Sequence, residues 1–263
     1  MMLWPGWPGA ATGPFTPGRG PDLFSQAMAS ENPRAGSVLL PPCQIRYNMP
    51  GTGRNDMDPY AKEQLLSFYN FHLKKFGDRP EALRWTPQGQ LRRYHTLLDI
   101  AHDLNDQKIL DYGCGTGDFY QFLKRRGIRV HYTGVDINEN FINLAKNKYP
   151  ECTFKIIDID EDQIEGFYDY IFICGVFNLR VPGVHDDLKN ALVTLFKNCN
   201  KGLALNALSS HTPIKDIELN YTSPEEMVKF AIENLSPAVT LWHNRIPNDF
   251  TLFVYTSFNE IEL

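Results

Sequence analysis

The chain has no apolar run approaching 18 residues, so its sequence offers no candidate membrane-spanning helix. Cysteine is scarce: five residues, at 43, 114, 152, 174 and 199, with no Cys-x-x-Cys pair. That odd number and open spacing argue against a disulfide framework and a zinc ribbon. They point to reduced, buried thiols, a cytoplasmic setting and no metal site. Positive charge is in deficit as well, with 26 Lys and Arg against 31 Asp and Glu and a formal net charge of -5. A broad nucleic-acid footprint needs a basic face, so no nucleic-acid partner is expected. Internal repeats are lacking. The N-terminus carries neither the charged start nor the continuous apolar stretch of a secretory signal.

What is present divides the chain unevenly. Residues 1–57 hold 9 of the 18 prolines and 8 of the 19 glycines and show no apolar periodicity. Such a segment buries too little surface to offset its ordering entropy and is expected to be a disordered leader. Residues 58–105 read as a helical cap or lid. Leu65, Leu66, Phe68, Tyr69, Phe71 and Leu73 form an apolar stripe on a helix predicted over 58–76. Leu91, Tyr94, Leu97, Leu98 and Ala101 do the same over 88–104. From residue 106 onward strands and helices alternate. Strands are predicted at 108–112, 130–135, 153–159, 168–174 and 202–207, helices at 118–126, 139–148, 185–198 and 223–235, and a final strand pair at 239–245 and 250–256. Alternation of this kind predicts an α/β fold with a mostly parallel sheet of seven strands and helices on both faces. The closing pair predicts an antiparallel hairpin at the C-terminal edge.

The most informative stretch is Ile109-Leu110-Asp111-Tyr112-Gly113-Cys114-Gly115-Thr116-Gly117-Asp118. A short apolar strand runs into an acid, three glycines at spacing two, and a helix. Glycine permits a sharp turn and a close backbone approach to a ligand. A dinucleotide fingerprint would carry glycine or alanine at 118, where this chain has Asp118. A carboxylate at a helix N-terminus repels a pyrophosphate, and Asp111 adds to the repulsion. Two carboxylates beside the loop suit a ligand with cationic groups and no phosphate.

These residues resemble motif I of the class I S-adenosylmethionine-dependent methyltransferases. The resemblance spans roughly Lys108 to Phe258, and it makes residues 106–263 the methyltransferase domain. The pattern from Trp85 through Asn206 to Pro247-Asn248-Asp249-Phe250-Thr251 is similar to an uncharacterised bacterial-type, small-molecule subgroup of that class. The resemblance implies S-adenosyl-L-methionine as methyl donor and an acceptor of small-molecule kind. It implies that Asp111, Gly113, Cys114, Gly115 and Gly117 form the donor loop. Asp136, at the end of the second strand, is the implied ribose acid, and Ile137 packs on the adenine or in the core. Asp158 and Ile159 are implied at the adenine, with Asp160 as a rival two residues on. Gly175, ending the fourth strand, would lie beside the methionine part and the transferred methyl.

Other candidates come from residue type and place. Trp85, followed by turn residues, reads as part of a pocket lid. Arg93 reads either as a partner for the methionine carboxylate or as a surface arginine. Phe177 or Asn178 could face the acceptor, and Asn178 and His211 are candidates for a catalytic role, His211 as general base. The Asp/Asn-Pro-Pro-Tyr/Phe motif of nucleic-acid amino-methyltransferases is missing after the fourth strand. A sulfonium is already electrophilic, so missing acid–base motifs do not argue against methyl transfer. The same cofactor also serves aminocarboxypropyl transferases and cyclases, and a pocket of this type can belong to a non-catalytic binding module.

Overall fold

The computed structural model describes residues 57–258. The leader expectation for residues 1–57 falls, but for Met57, outside the described residues. Two helices come first, α1 (Pro59–Phe76) and α2 (Pro87–Leu97), separated by a 3₁₀ turn at Pro80–Leu83. Asp58 caps α1, its carboxylate accepting from the Tyr60 and Ala61 amides at 2.9 and 3.1 Å. Thr86 caps α2 through the Gly89 amide at 3.0 Å. The second helix was expected to reach residue 104. It tightens to a 3₁₀ turn at Leu98–Ile100, and Ala101 is extended.

The alternating part follows as β1 (Lys108–Tyr112), α3 (Asp118–Arg125), β2 (His131–Asp136), α4 (Glu139–Lys148), β3 (Thr153–Ile156), β4 (Tyr168–Cys174), α5 (Val184–Phe196), β5 (Cys199–Leu208), α6 (Pro224–Asn234), β6 (Val239–Trp242) and β7 (Asp249–Tyr255). The predicted start of α6 is present: Ser223 accepts from the Glu226 amide at 3.1 Å, with Pro224 in the first helical position. β3 stops three residues short of expectation. The chain turns at Asp158, whose backbone carbonyl receives the amides of Glu161 and Asp162 at 3.0 and 2.7 Å.

The seven strands form one sheet in the order β3-β2-β1-β4-β5-β7-β6. β1 to β5 pair in parallel, and β7 runs antiparallel to both β5 and β6. The C-terminal hairpin is therefore present, but β7 lies inside it and β6 is the edge. Burial gives the reason: Asp249 to Val254 of β7 are all buried, whereas no residue of β6 is.

Apolar residues of the parallel strands alternate between two cores. Leu110, Ile171, Ile173, Leu203 and Leu205 pack with Leu188, Ala191 and Leu192 of α5. Ile109, Phe172 and Ala204 pack with Leu97, Phe119, Leu123 and Ile142 on the other face. The strand order reverses at β1, between β2 and β4. A crevice opens there beyond the carboxyl ends of the strands, the place where open α/β sheets bind ligands. Among the described residues no helix is long and apolar enough to cross a membrane.

Candidate cofactor site

The glycine loop owes its shape to left-handed backbone at three points. Gly113, Gly115 and Gly117 have φ of 72°, 55° and 81°. At Gly113 a Cβ would stand 2.4 Å from a methyl of Val176, so the turn admits no side chain. The Gly113 and Cys114 amides donate to the Val135 carbonyl at 2.8 and 3.0 Å, which ties the loop to the end of β2. Asp136 locks it further. One carboxylate oxygen accepts from the Gly115 amide at 2.9 Å and the other from the Asn138 amide at 2.8 Å.

A cavity of about 1260 Å³, counted to its open mouth, lies over this loop. Its floor is the 111–115 and 136–138 segments, and the 157–160 and 174–177 turns form its sides. Lys62, Leu65 and Tyr69 of α1 and Trp85 of the inter-helix turn cover it. Asp111, Gly113, Cys114, Gly115, Asp136, Ile137, Asp158, Ile159 and Gly175, all singled out from the sequence, lie on the wall together. Gly175 has φ of 68°, and a Cβ there would stand 2.7 Å from the Trp85 ring. The lid tryptophan is therefore seated directly on that glycine.

The wall is acidic. Among its described residues are five carboxylates (Asp111, Asp136, Asp158, Asp160 and Asp187) and one cation, Lys62. Burial pushes Asp111 up to about 7, against a hydrogen bond from the Tyr132 hydroxyl that pulls it down. Burial likewise raises Asp136 to about 6, opposed by its backbone amide partners. Lys62 holds Asp158 in an ion pair, and the Asp160 amide donates to the other Asp158 oxygen at 3.2 Å. A sulfonium, an ammonium, ribose hydroxyls and an adenine amine all suit such a wall; a pyrophosphate does not. The residues present therefore fit S-adenosylmethionine.

Four expectations are revised. Asp118 does not face the cavity: Lys148 pairs with it at 3.0 Å and the Gln90 side-chain Nε2 donates at 3.2 Å. The acidity that disfavours phosphate comes from Asp111 and its neighbours on the wall instead. Gly117 also stands off the wall; it starts α3, and a Cβ there would meet the Tyr149 ring at 3.0 Å. Arg93 is spoken for by Asp249, its Nε 2.7 Å from Oδ2 and its Nη2 donating to Oδ1 at 3.1 Å. This buried ion pair engages the guanidinium away from the main cavity, with one hydrogen bond, from Nη2 to Oδ1. His211 lies on the surface against Glu225 at 2.5 Å and belongs to neither cavity.

A second, smaller pocket of about 410 Å³ adjoins the first. Phe68, Arg84, Arg93, Asn178, Leu208 and Leu219 line it, and it shares Tyr69, Leu83, Trp85, Gly175 and Leu179 with the main cavity. Asn178 is held rather than free, its Oδ1 accepting from the Leu208 amide at 3.2 Å. Lys62 and Asp187 went unnoticed in the sequence. Lys62 resembles any exposed helix lysine, and Asp186-Asp187 reads as ordinary first-turn acidity at the start of α5. Among the described residues no group of three or more His, Cys, Asp or Glu is placed to hold a metal ion.

The chain is similar to known proteins. Residues 109–202 match a methyltransferase domain family. Rv1506c of Mycobacterium tuberculosis, provisionally named a methyltransferase, is 26% identical over 163 residues, spanning 60% of this chain and 98% of its own. The malonyl-[acyl-carrier protein] O-methyltransferase of Priestia megaterium is 32% identical over 188 residues, 66% of either chain. The enzyme of the same name from Bacillus cereus is 26% identical, and the match spans 52% of its length. In fold, the chain is similar to magnesium protoporphyrin IX methyltransferase from Synechocystis, solved with S-adenosylhomocysteine, at a TM-score of 0.54 and 15% identity over 75% of this chain and 100% of that one. A glycine loop locked by the β2 carboxylate, an acidic cavity at the sheet's switch point and these relatives converge. The chain belongs to the class I Rossmann-like S-adenosylmethionine-dependent methyltransferases.

Proposed function

We propose that this methyltransferase carries the methyl group of S-adenosylmethionine to a small-molecule acceptor that approaches through the second pocket. The observation that carries this reading is the junction of the two cavities at Gly175 and Trp85. When bound, S-adenosylmethionine supplies an electrophilic methyl group on a sulfonium. Asp136 holds the ribose hydroxyls, as its carboxylate already sits at the loop and is a strong acceptor when ionised. Ile137 and Ile159 pack on the adenine, with Asp158 at its edge. Asp111 and the 113–115 backbone hold the amino-acid end, and Gly175 leaves room for the reacting centre. Trp85, Tyr69 and Leu83 wall off bulk water and fix the acceptor's approach, which is the main work left to a protein whose cofactor is already activated.

The second pocket's wall is largely apolar and aromatic, through Phe68, Tyr69, Leu83, Trp85, Leu179, Leu208 and Leu219. Its two arginines are engaged by acids, Arg84 with Asp216 and Glu218 and Arg93 with Asp249. A modest, mainly apolar acceptor fits such a wall. The test is turnover. The protein is incubated with S-adenosylmethionine and a mixed pool of small metabolites, and the products are read by mass. S-adenosylhomocysteine with a methylated acceptor supports the reading. Methylthioadenosine as by-product would assign the chain to aminocarboxypropyl transfer or cyclisation, and binding without any turnover to a sensor or scaffold.

A further inference from the structure

Asp187 sits in the first turn of α5, three residues after Val184, so both side chains point the same way off the helix. Both line the main cavity, next to an apolar wall of Tyr112, Phe177, Leu179 and Val181. Tyr112 and Phe177 stack at 6.3 Å. Asp187 is only 8% exposed, and its buried Oδ2 has no hydrogen-bond partner among the described residues. The other wall carboxylates are all served. Asp111 receives the Tyr132 hydroxyl, Asp136 two amides, Asp158 Lys62 and an amide, and Asp160 the Met57 amide at 3.0 Å.

Asp187's charged surroundings make matters worse for it. Burial raises its carboxyl to about 6, and the neighbouring charges of Asp160 and Asp186 push in the same direction. The helix dipole favours a negative group near the α5 N-terminus but makes no hydrogen bond to this oxygen. A buried carboxylate left without a donor is destabilising. Its persistence on a cavity wall, among like charges and aromatic rings, describes a receptor for a hydrogen-bond donor that carries no negative charge.

We infer that the Asp187 carboxylate binds an amino group of a molecule held in the main cavity. Two sources share that chemistry: the exocyclic amine of the donor's adenine, or an amine on the acceptor. The first is a candidate beside Asp158, the acid implied at the adenine, because Asp158 already neutralises Lys62 and takes the Asp160 amide, whereas Asp187 keeps a buried oxygen with no partner. The inference rests on the proposed donor site, and the experiment separates the two.

Titration calorimetry on the full chain uses S-adenosylhomocysteine and S-inosylhomocysteine, which lacks the amine. Phenethylamine and the isosteric phenylethanol are then titrated into the S-adenosylhomocysteine complex. Wild type, Asp187→Asn and Asp187→Leu are compared, with thermal melts to verify folding. If the adenine amine is the partner, wild type prefers S-adenosylhomocysteine about ten-fold, and both variants lose that preference. If the acceptor amine is the partner, S-adenosylhomocysteine binds all three alike, while wild type alone prefers phenethylamine over the alcohol by a similar factor. Either result supports the inference. It is overturned if wild type discriminates neither pair, or if the variants discriminate as well as wild type does. Failure of wild type to bind S-adenosylhomocysteine at all would instead contradict the donor site.

Discussion

Replacing Asp136 by Asn should weaken S-adenosylhomocysteine binding far more than it weakens the fold. Asp136 uses both oxygens on backbone amides, Gly115 at 2.9 Å and Asn138 at 2.8 Å, and lines the cavity. Asparagine keeps one acceptor oxygen and turns an NH₂ group toward the other amide, so one loop contact is lost. It also removes the charge on which strong hydrogen bonds from the ribose hydroxyls depend. Hydrogen bonds to a charged group contribute about 1.5–3 kcal/mol each. Loss of one such interaction with the ligand lowers affinity roughly 10- to 150-fold, since about 1.4 kcal/mol is a factor of ten. Stability responds less, because removing a desolvated carboxylate offsets part of the lost loop contact. Calorimetry gives the affinity and a urea titration the stability. A variant that stays folded and binds S-adenosylhomocysteine within three-fold of wild type would refute the ribose role.

Further outcomes follow from the same geometry. The folded-state values of Asp111, Asp136 and Asp187 lie near 7, 6 and 6, all above the 3.8 of an unperturbed Asp. The folded protein thus retains protons that the unfolded chain releases, and the ligand-free protein should lose stability as pH rises from about 4 to 7. Ligand affinity should run the other way, rising between about pH 6 and 7 as Asp136, Asp187 and Asp111 ionise on the cavity wall, and Asp136→Asn should make that rise smaller without abolishing it. Arg93→Ala strands a carboxylate that is 2% exposed, so it should cost about 3–5 kcal/mol of stability, recovered in part by the double variant Arg93→Met with Asp249→Leu. Gly175→Ala drives a methyl into the Trp85 ring in a left-handed turn, so Trp85 fluorescence should shift and turnover fall, with the melt lowered by a local strain of about 1–3 kcal/mol. His211→Ala should leave turnover unchanged, as its partner Glu225 and it lie on the surface.

Much of the fold was legible because its signals are local. The apolar strand into Gly113, Gly115 and Gly117 fixes a turn, Ser223-Pro224 starts a helix, and Asp136 follows its strand directly. Contacts between distant segments were not legible. Asp118 finds Lys148 thirty residues away, and Arg93 finds Asp249 across 156 residues. No periodicity encodes either pair, so Asp118 looked like part of the ligand site and Arg93 like either a carboxylate binder or a surface arginine. The place of β7 did leave a trace. The run Phe250-Thr251-Leu252-Phe253-Val254 has little polar alternation, as suits a strand covered on both faces, while β6 is shorter and partly exposed. Asp187 is the instructive omission. An acid beside a helix start satisfies a sequence rule, and only its burial without a partner separates it from Asp186.

The central claim is that the cavity over the glycine loop holds the methyl donor. Titrating the wild-type chain with S-adenosylmethionine and S-adenosylhomocysteine tests it most directly. Saturable binding of one molecule per chain, weakened roughly ten-fold or more when Asp136 is replaced by Asn and undisturbed when His211 is replaced, is the predicted result. No heat and no thermal stabilisation with either ligand at millimolar concentration would contradict it.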